Sequence, residues 1–238
     1  MAREQLSAPH YQWNGFADRH ELAVALAGQV AARLTDAIAK RGSALLAVSG
    51  GTTPGKFFAA LSAIPIDWDK VTVTLVDERF VPPSSPRSNA GLVAANLLQN
   101  RAAAARFVPL YHEAASIEDA AASDSEALKT LAWPLDVVLL GMGGDGHTAS
   151  FFPDAGNLDD LLDPTSQRIV VPVHAQSAGE PRLTLSMARI IAAGFIALQI
   201  EGDDKRAAFD GAMGPGEKKP IRKVLEASPI PVEVFWAP

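Results

Sequence analysis

There is no cysteine in the 238 residues of this chain. Its absence excludes disulfides, thiolate nucleophiles and Cys-ligated metal, and it removes the main sequence sign of an oxidising compartment. No window approaches the eighteen or so consecutive apolar residues of a membrane span, and Met1 to Gln5 open no apolar leader. Blocks of like charge are missing too. The net charge of −6 argues against a nucleic-acid polyanion as partner, and no basic run marks a membrane-surface helix. Neither H-E-x-x-H nor a paired-histidine spacing is present to hold a metal. These absences lead to the expectation of a cytoplasmic protein with no metal, no nucleic-acid partner and no membrane.

What is present is apolar and regularly patterned. Hydrophobic residues make up 48% of the chain, enough for a sizeable core. After an irregular start, Asp18-x-x-Glu21 gives a capping-box-like signal. Leu22, Leu26, Val30, Leu34 and Ile38 then recur every four residues until Gly42, the pattern of one long amphipathic helix. Apolar, partly β-branched runs follow at 45–48, 71–76, 107–110, 135–140, 168–173, 195–200 and 232–236. Helical patterns separate most of them, at 88–100, 117–131, 203–213 and 221–227. Alternation of this kind predicts an α/β fold, an open and mostly parallel twisted sheet flanked by helices on both faces. Several strands are continuous apolar runs, as a sheet covered on both sides requires. No repeat or domain-separating linker interrupts the chain, so one domain spanning 1–238 is expected. It is expected to be a monomer, because the apolar patterns are accounted for internally.

In open parallel sheets ligands bind beyond the carboxyl ends of the strands, so the loops after Val48, Val76 and Leu140 should converge. The third is the most unusual. Leu135 to Pro153 runs from an apolar strand into glycines at 141, 143, 144 and 146, which surround Asp145 and precede His147. Glycine lets a backbone approach a ligand closely, and histidine is the side chain that titrates near neutral pH. The literal G-x-G-x-x-G at 141–146 is not read as a dinucleotide fingerprint, because His147, Thr148 and Ser150 follow and Pro153 stops any helix. The first loop, Ser49-Gly50-Gly51-Thr52-Thr53-Pro54-Gly55-Lys56, mimics a Walker A loop but has Phe57 where Ser or Thr must ligate Mg²⁺. Thr53 is instead expected to cap a helix with Pro54 at its first position, so that Gly50, Gly51 and Thr52 offer amides to a phosphate. The second loop brings Asp77, Glu78 and Arg79. Its guanidinium offers directed donors to a carboxylate, phosphate or developing oxyanion. Arg182 at the edge of an apolar segment and Lys205 in the first turn of a helix are two more cations. Lys205 sits where the helix dipole disfavours it unless an anion or solvent compensates.

Taken as an ordered set, these segments resemble the 6-phosphogluconolactonases of the pentose phosphate pathway. Those belong to a Rossmann-like fold group with glucosamine-6-phosphate deaminase and ribose-5-phosphate isomerase. The resemblance runs from about Ala44 to the C-terminus through S-G-G-T-T-P at 49–54, D-E-R-F-V-P at 77–82, Ser88-Asn89, G-M-G-G-D-G-H-T-A-S-F-F-P at 141–153, P-R-L-T at 181–184 and G-D-D-K at 202–205. It implies hydrolysis of 6-phospho-D-glucono-1,5-lactone without a cofactor. The expected catalytic residues are His147 as general base, Asp145 as its orienting partner and Arg79. Substrate and phosphate are expected at Ser49, Gly50, Gly51, Thr52, Asp77, Asn89, Gly143, Gly144, Arg182 and Lys205, with the Gly143-Gly144 amides assisting the oxyanion. Two alternatives stand beside this reading. The related deaminase or isomerase carries a catalytic glutamate where this chain has Phe152, and a sugar-phosphate sensor would keep the phosphate seat without turnover.

Overall fold

The computed structural model describes residues 9–238; Met1 to Gln5, where no leader is expected, lie outside the described residues. The first element is β1 (Tyr11–Gly15), a strand within the segment expected to be irregular. It adds to the sheet edge by pairing in parallel with the last strand of the chain, a partner more than two hundred residues away that no local pattern announces.

α1 (Arg19–Arg41) follows as expected. Asp18 caps it by accepting from the His20 and Glu21 amides, and Gly42 ends it at φ 78°, the left-handed conformation glycine adopts without strain. Leu22, Leu26, Val30 and Leu34 are fully buried along one stripe, each worth about 1.5 to 3 kcal/mol of transfer free energy. By length and composition alone this helix could cross a membrane, contrary to the sequence expectation. In the fold its apolar stripe is spent on the sheet, and Arg19, Glu21, Asp36, Lys40 and Arg41 line the rest.

The chain continues through β2 (Ala44–Val48), α2 (Gly55–Ala63), β3 (Val71–Leu75), β4 (Asp77–Arg79), α3 (Asn89–Asn96), β5 (Arg106–Val108), α4 (Ile117–Leu128) and β6 (Val137–Leu140). It ends with α5 (Leu158–Leu161), β7 (Val170–Val173), β8 (Arg182–Leu185), α6 (Met187–Ile191), β9 (Ile196–Glu201), α7 (Asp203–Ala212), α8 (Pro220–Ala227) and β10 (Val232–Ala237). Seven strands form one parallel sheet in the order β1-β10-β9-β6-β2-β3-β5. Every residue of β2 and β6 is buried, which explains why these strands read as unbroken apolar runs.

Among the described residues the remaining three strands form a small antiparallel sheet in the order β4-β8-β7. The run at 168–173, expected in the main sheet, belongs here. The small sheet grows from the end of β3: the Val76 amide donates to the Val48 carbonyl, and the Val76 carbonyl accepts from Leu185. From the central β2, the chain builds outward through β3 and β5 on one side and β6, β9, β10 and β1 on the other. The crevice at such a reversal is where parallel sheets receive ligands.

Candidate active site

Beyond the carboxyl ends of β2, β6 and β9 lies a cleft of about 370 Å³, with the small sheet forming its far wall. Of the thirteen residues singled out above, Ser49, Gly50, Gly51, Thr52, Asp77, Arg79, Asn89, Gly143, His147, Arg182 and Lys205 line it. Asp145 and Gly144 do not, although Asp145 touches the His147 that does.

The β6 loop builds a histidine-carboxylate pair. Asp145 Oδ1 lies 2.6 Å from His147 Nδ1 and also accepts from the His147 amide at 3.1 Å. Burial works to raise the Asp145 carboxyl, but the His147 amide and ring outweigh it and hold the carboxyl below its ordinary value. An ionised carboxylate only accepts, so Nδ1 of a neutral His147 carries the proton and Nε2 keeps its lone pair. Gly143 lies directly beneath this pair: a Cβ there would stand 2.2 Å from the imidazole and 2.5 Å from Asp145 Oδ1. The Gly143 amide donates to the His147 carbonyl at 2.9 Å. It closes the turn and is not free to serve an oxyanion, so the Gly143-Gly144 oxyanion site expected from sequence has one committed amide and one residue off the cleft.

Phe152 packs against the imidazole, with ring centroids 4.4 Å apart and the rings tilted by 33°. The Arg182 guanidinium in turn lies 5.6 Å from the Phe152 centroid. Arg182 and Arg79 are direct partners across the β8–β4 ladder, so two guanidiniums are carried side by side into the cleft. Two like charges this close are costly unless an anion joins them. Burial, followed by Arg79, lowers the Arg182 pKa against the pull of Asp77. Strand alternation puts Asp77 and Arg79 on the cleft side of β4 and turns Glu78 away from it. The Asp77 carboxylate accepts from Ser150 Oγ at 2.6 Å, and its carbonyl accepts from Asn89 Nδ2 at 2.8 Å.

The loop after β2 supplies the third wall. Thr53 does not cap α2 as expected; Pro54 holds the cap position with no side-chain bond, and the Pro54 carbonyl accepts from the Phe58 amide. Among the described residues no acceptor takes the amides of Gly50, Gly51 and Thr52, which therefore remain available to a ligand. Gly50 must be glycine because Asn89 packs on it: a Cβ would fall 1.9 Å from Asn89 Oδ1. Lys205, in the first turn of α7, donates to the Met142 carbonyl at 2.9 Å, which steadies its charge beside the same loop.

Sequence reasoning missed Gln199 and Ser177. Gln199 was visible as the one polar residue in an otherwise apolar run; its Nε2 reaches the Thr53 carbonyl at 3.4 Å and Glu201 at 3.0 Å. Ser177 lies on the far side and is held by Asp154. No local signal marked it. Among the described residues, four of the six buried side-chain polar atoms without a protein partner belong to cleft residues: Ser49 Oγ, Arg79 Nε, Arg182 Nε and Gln199 Oε1. Polar atoms gathered at one place and not consumed by the protein's own hydrogen bonds suit a polar ligand.

Fold and cleft together define an α/β protein built to hold a small anionic ligand beside a histidine-carboxylate pair. The family model described as glucosamine-6-phosphate isomerases/6-phosphogluconolactonase matches residues 17–236. The 6-phosphogluconolactonase of Mesorhizobium japonicum is 77% identical over 238 residues, covering all of both chains. That of Rhizobium meliloti is 53% identical over 225 residues, 94% of this chain and 97% of the relative. A crystal structure of a 6-phosphogluconolactonase from Shewanella baltica superposes with a TM-score of 0.93 at 38% identity, covering 98% of this chain and 100% of that one. A monomeric glucosamine-6-phosphate deaminase shares the fold, with a TM-score of 0.75 at 18% identity. The chain belongs to the 6-phosphogluconolactonase family.

Proposed function

We propose that this chain opens 6-phospho-D-glucono-1,5-lactone to 6-phospho-D-gluconate, with His147 Nε2 as the base that takes a proton from the attacking water. The observation that carries the mechanism is the Asp145–His147 pair on the rim of a cation-lined cleft. Asp145 fixes the ring and its tautomer and stabilises the imidazolium that forms. The same imidazolium then returns its proton to the departing ring oxygen. The paired Arg79 and Arg182 meet the negative charge of the tetrahedral intermediate and the nascent carboxylate, which would also account for their side-by-side placement. The phosphate lies against the free amides of Gly50, Gly51 and Thr52 near Ser49, with Lys205 as its cation, while Asp77 and Asn89 face the sugar hydroxyls.

Lactone opening needs neither electron transfer nor a carbanion sink, so the proposal calls for no cofactor. The enzyme acts as a single domain and a monomer in the cytoplasm, on a small sugar phosphate and on neither nucleic acid nor membrane. Support for the monomer comes from the surface, where Tyr11 and Val24 are the exposed large hydrophobics among the described residues. The test is hydrolysis of freshly generated lactone in EDTA, with the spontaneous rate subtracted. Opening well above background is expected. No acceleration, together with ammonia release from glucosamine 6-phosphate, would replace this reading with the deaminase. Binding of 6-phosphogluconate without either turnover would make the protein a sensor.

A further inference from the structure

Glu78 is the most deeply buried charged side chain among the described residues, at 0% exposure, and it takes no part in the chemistry above. Burying a carboxylate is expensive unless its lone pairs are filled. Here they are: Oε1 accepts from the amides of Arg79 at 2.7 Å and Asn89 at 2.8 Å, and Oε2 accepts from the Ala90 amide at 2.7 Å and Ser88 Oγ at 3.0 Å. Burial pushes its pKa up, and these four donors oppose the push. Three of them come from the start of α3 and one from β4, so a single side chain ties the two elements together.

Both elements carry cleft residues. On β4 the tie falls on the amide of Arg79, whose guanidinium is further fixed by donating to the Arg87 carbonyl. On α3 it falls on Asn89, which donates to the Asp77 carbonyl and rests on Gly50. Ser88 already caps α3 by accepting from the Gly91 amide at 3.1 Å, so end-capping alone does not require a buried carboxylate. We propose that Glu78 is a positioning residue for lactone opening, setting the placement of Arg79 and Asn89 relative to each other and to the loop at Gly50 without touching substrate. The proposal rests on the hydrolase reading for its kinetic consequence, but not for its structural one.

Glu78→Gln tests it. The replacement has the same shape but puts an NH₂ where an amide donor expects an acceptor, leaving at least one backbone N–H unpaired. At a temperature where circular dichroism shows the variant folded, kcat/KM is expected to fall about 10- to 100-fold, the range that displacing a positioning group by around 1 Å produces. In an Arg79→Ala background the same change should cost several-fold less, because the part of its effect that passes through Arg79 is already lost and only the part through Asn89 remains. A loss of equal size in both backgrounds would overturn the proposal, as would wild-type kcat/KM in Glu78→Gln. Should Glu78→Gln not fold, Glu78→Asp, which keeps the charge but shortens the reach, carries the same double-mutant comparison. A crystal structure of whichever variant folds gives a readout independent of any substrate: Arg79 and Asn89 are expected to shift, and finding both unmoved refutes positioning even if the wild-type protein proves inactive on the lactone.

Discussion

Replacing Gly143 by alanine tests the geometry of the catalytic pair with one methyl group. Gly143 has no left-handed φ, so alanine suits its backbone and any effect must come from the added carbon. That carbon would lie 2.2 Å from His147 Cε1 and Nδ1 and 2.5 Å from Asp145 Oδ1. Ordinary contacts begin near 3.4 Å, so ring and carboxylate must retreat by about 1 Å. Phe152, 4.4 Å away on another side of the ring, limits where the imidazole can go. A misplacement of that size costs about 10²-fold in rate, or about 2.7 kcal/mol of barrier. Because the loop is at the surface, the melting temperature should move by only a few degrees. Gly144→Ala is the matched control, since nothing lies within 4 Å of its added carbon and its amide is retained. The assay is background-subtracted lactone hydrolysis at saturating substrate, with thermal melts in parallel. A Gly143→Ala enzyme within threefold of wild-type kcat would refute the reading of this hydrogen-bonded pair as the reactive arrangement.

Removing the proposed base, His147→Ala should leave the fold and 6-phosphogluconate binding intact while turnover drops about 10²- to 10⁴-fold; calorimetry beside the kinetic assay separates the two. Lys205→Ala should weaken phosphorylated substrate by about 1.5 to 3 kcal/mol, seen mainly in KM, and an equal loss on unphosphorylated gluconolactone would show a different role. Arg182→Ala should lower kcat on both substrates, and a loss confined to the phosphorylated one would contradict its place at the tetrahedral intermediate. Asp124 is buried against His112, 2.9 Å away, with Oδ2 unpartnered, and burial raises its pKa to about 6 despite the histidine. The folded state therefore holds this proton over a range where the unfolded chain, at about 3.8, has released it, and stability from this group declines as pH rises from about 4 to 6. Asp124→Asn should accordingly gain in urea midpoint relative to wild type on going from pH 4.5 to 7.5, and a gain that shrinks over that interval would contradict the assignment.

Sequence reasoning reached the parallel sheet because its central strands are buried on both faces and its helices carry their own start and stop signals, as Asp18 and Gly42 do for α1. It reached the cleft because parallel strands place their carboxyl-end loops at one end, and glycine, histidine and arginine were concentrated there. What it did not reach depends on pairing at long range. β1 is held by a strand over two hundred residues away, and nothing in Tyr11–Gly15 names that partner. β4 and β8 are three and four residues long, too short for alternation to show. Their register is nevertheless what sets Arg79 beside Arg182, so the main electrostatic feature of the cleft was hidden although both arginines were visible.

Phe152 shows how a site can be specialised by a group that does no chemistry. A phenyl ring cannot carry a proton, so its position closes off the relay that a carboxylate would offer the histidine from that side. It is far from inert in packing terms: buried, it meets the His147 ring and presents a face toward the Arg182 guanidinium. The contact with Arg182 helps support a cation that burial penalises and that a second arginine repels. The contact with His147 limits the space into which the imidazole can swing. With Asp145 fixing Nδ1, Gly143 leaving room below and Phe152 covering the ring, Nε2 remains the route for a proton between histidine and ligand, as the proposed water activation and proton return require.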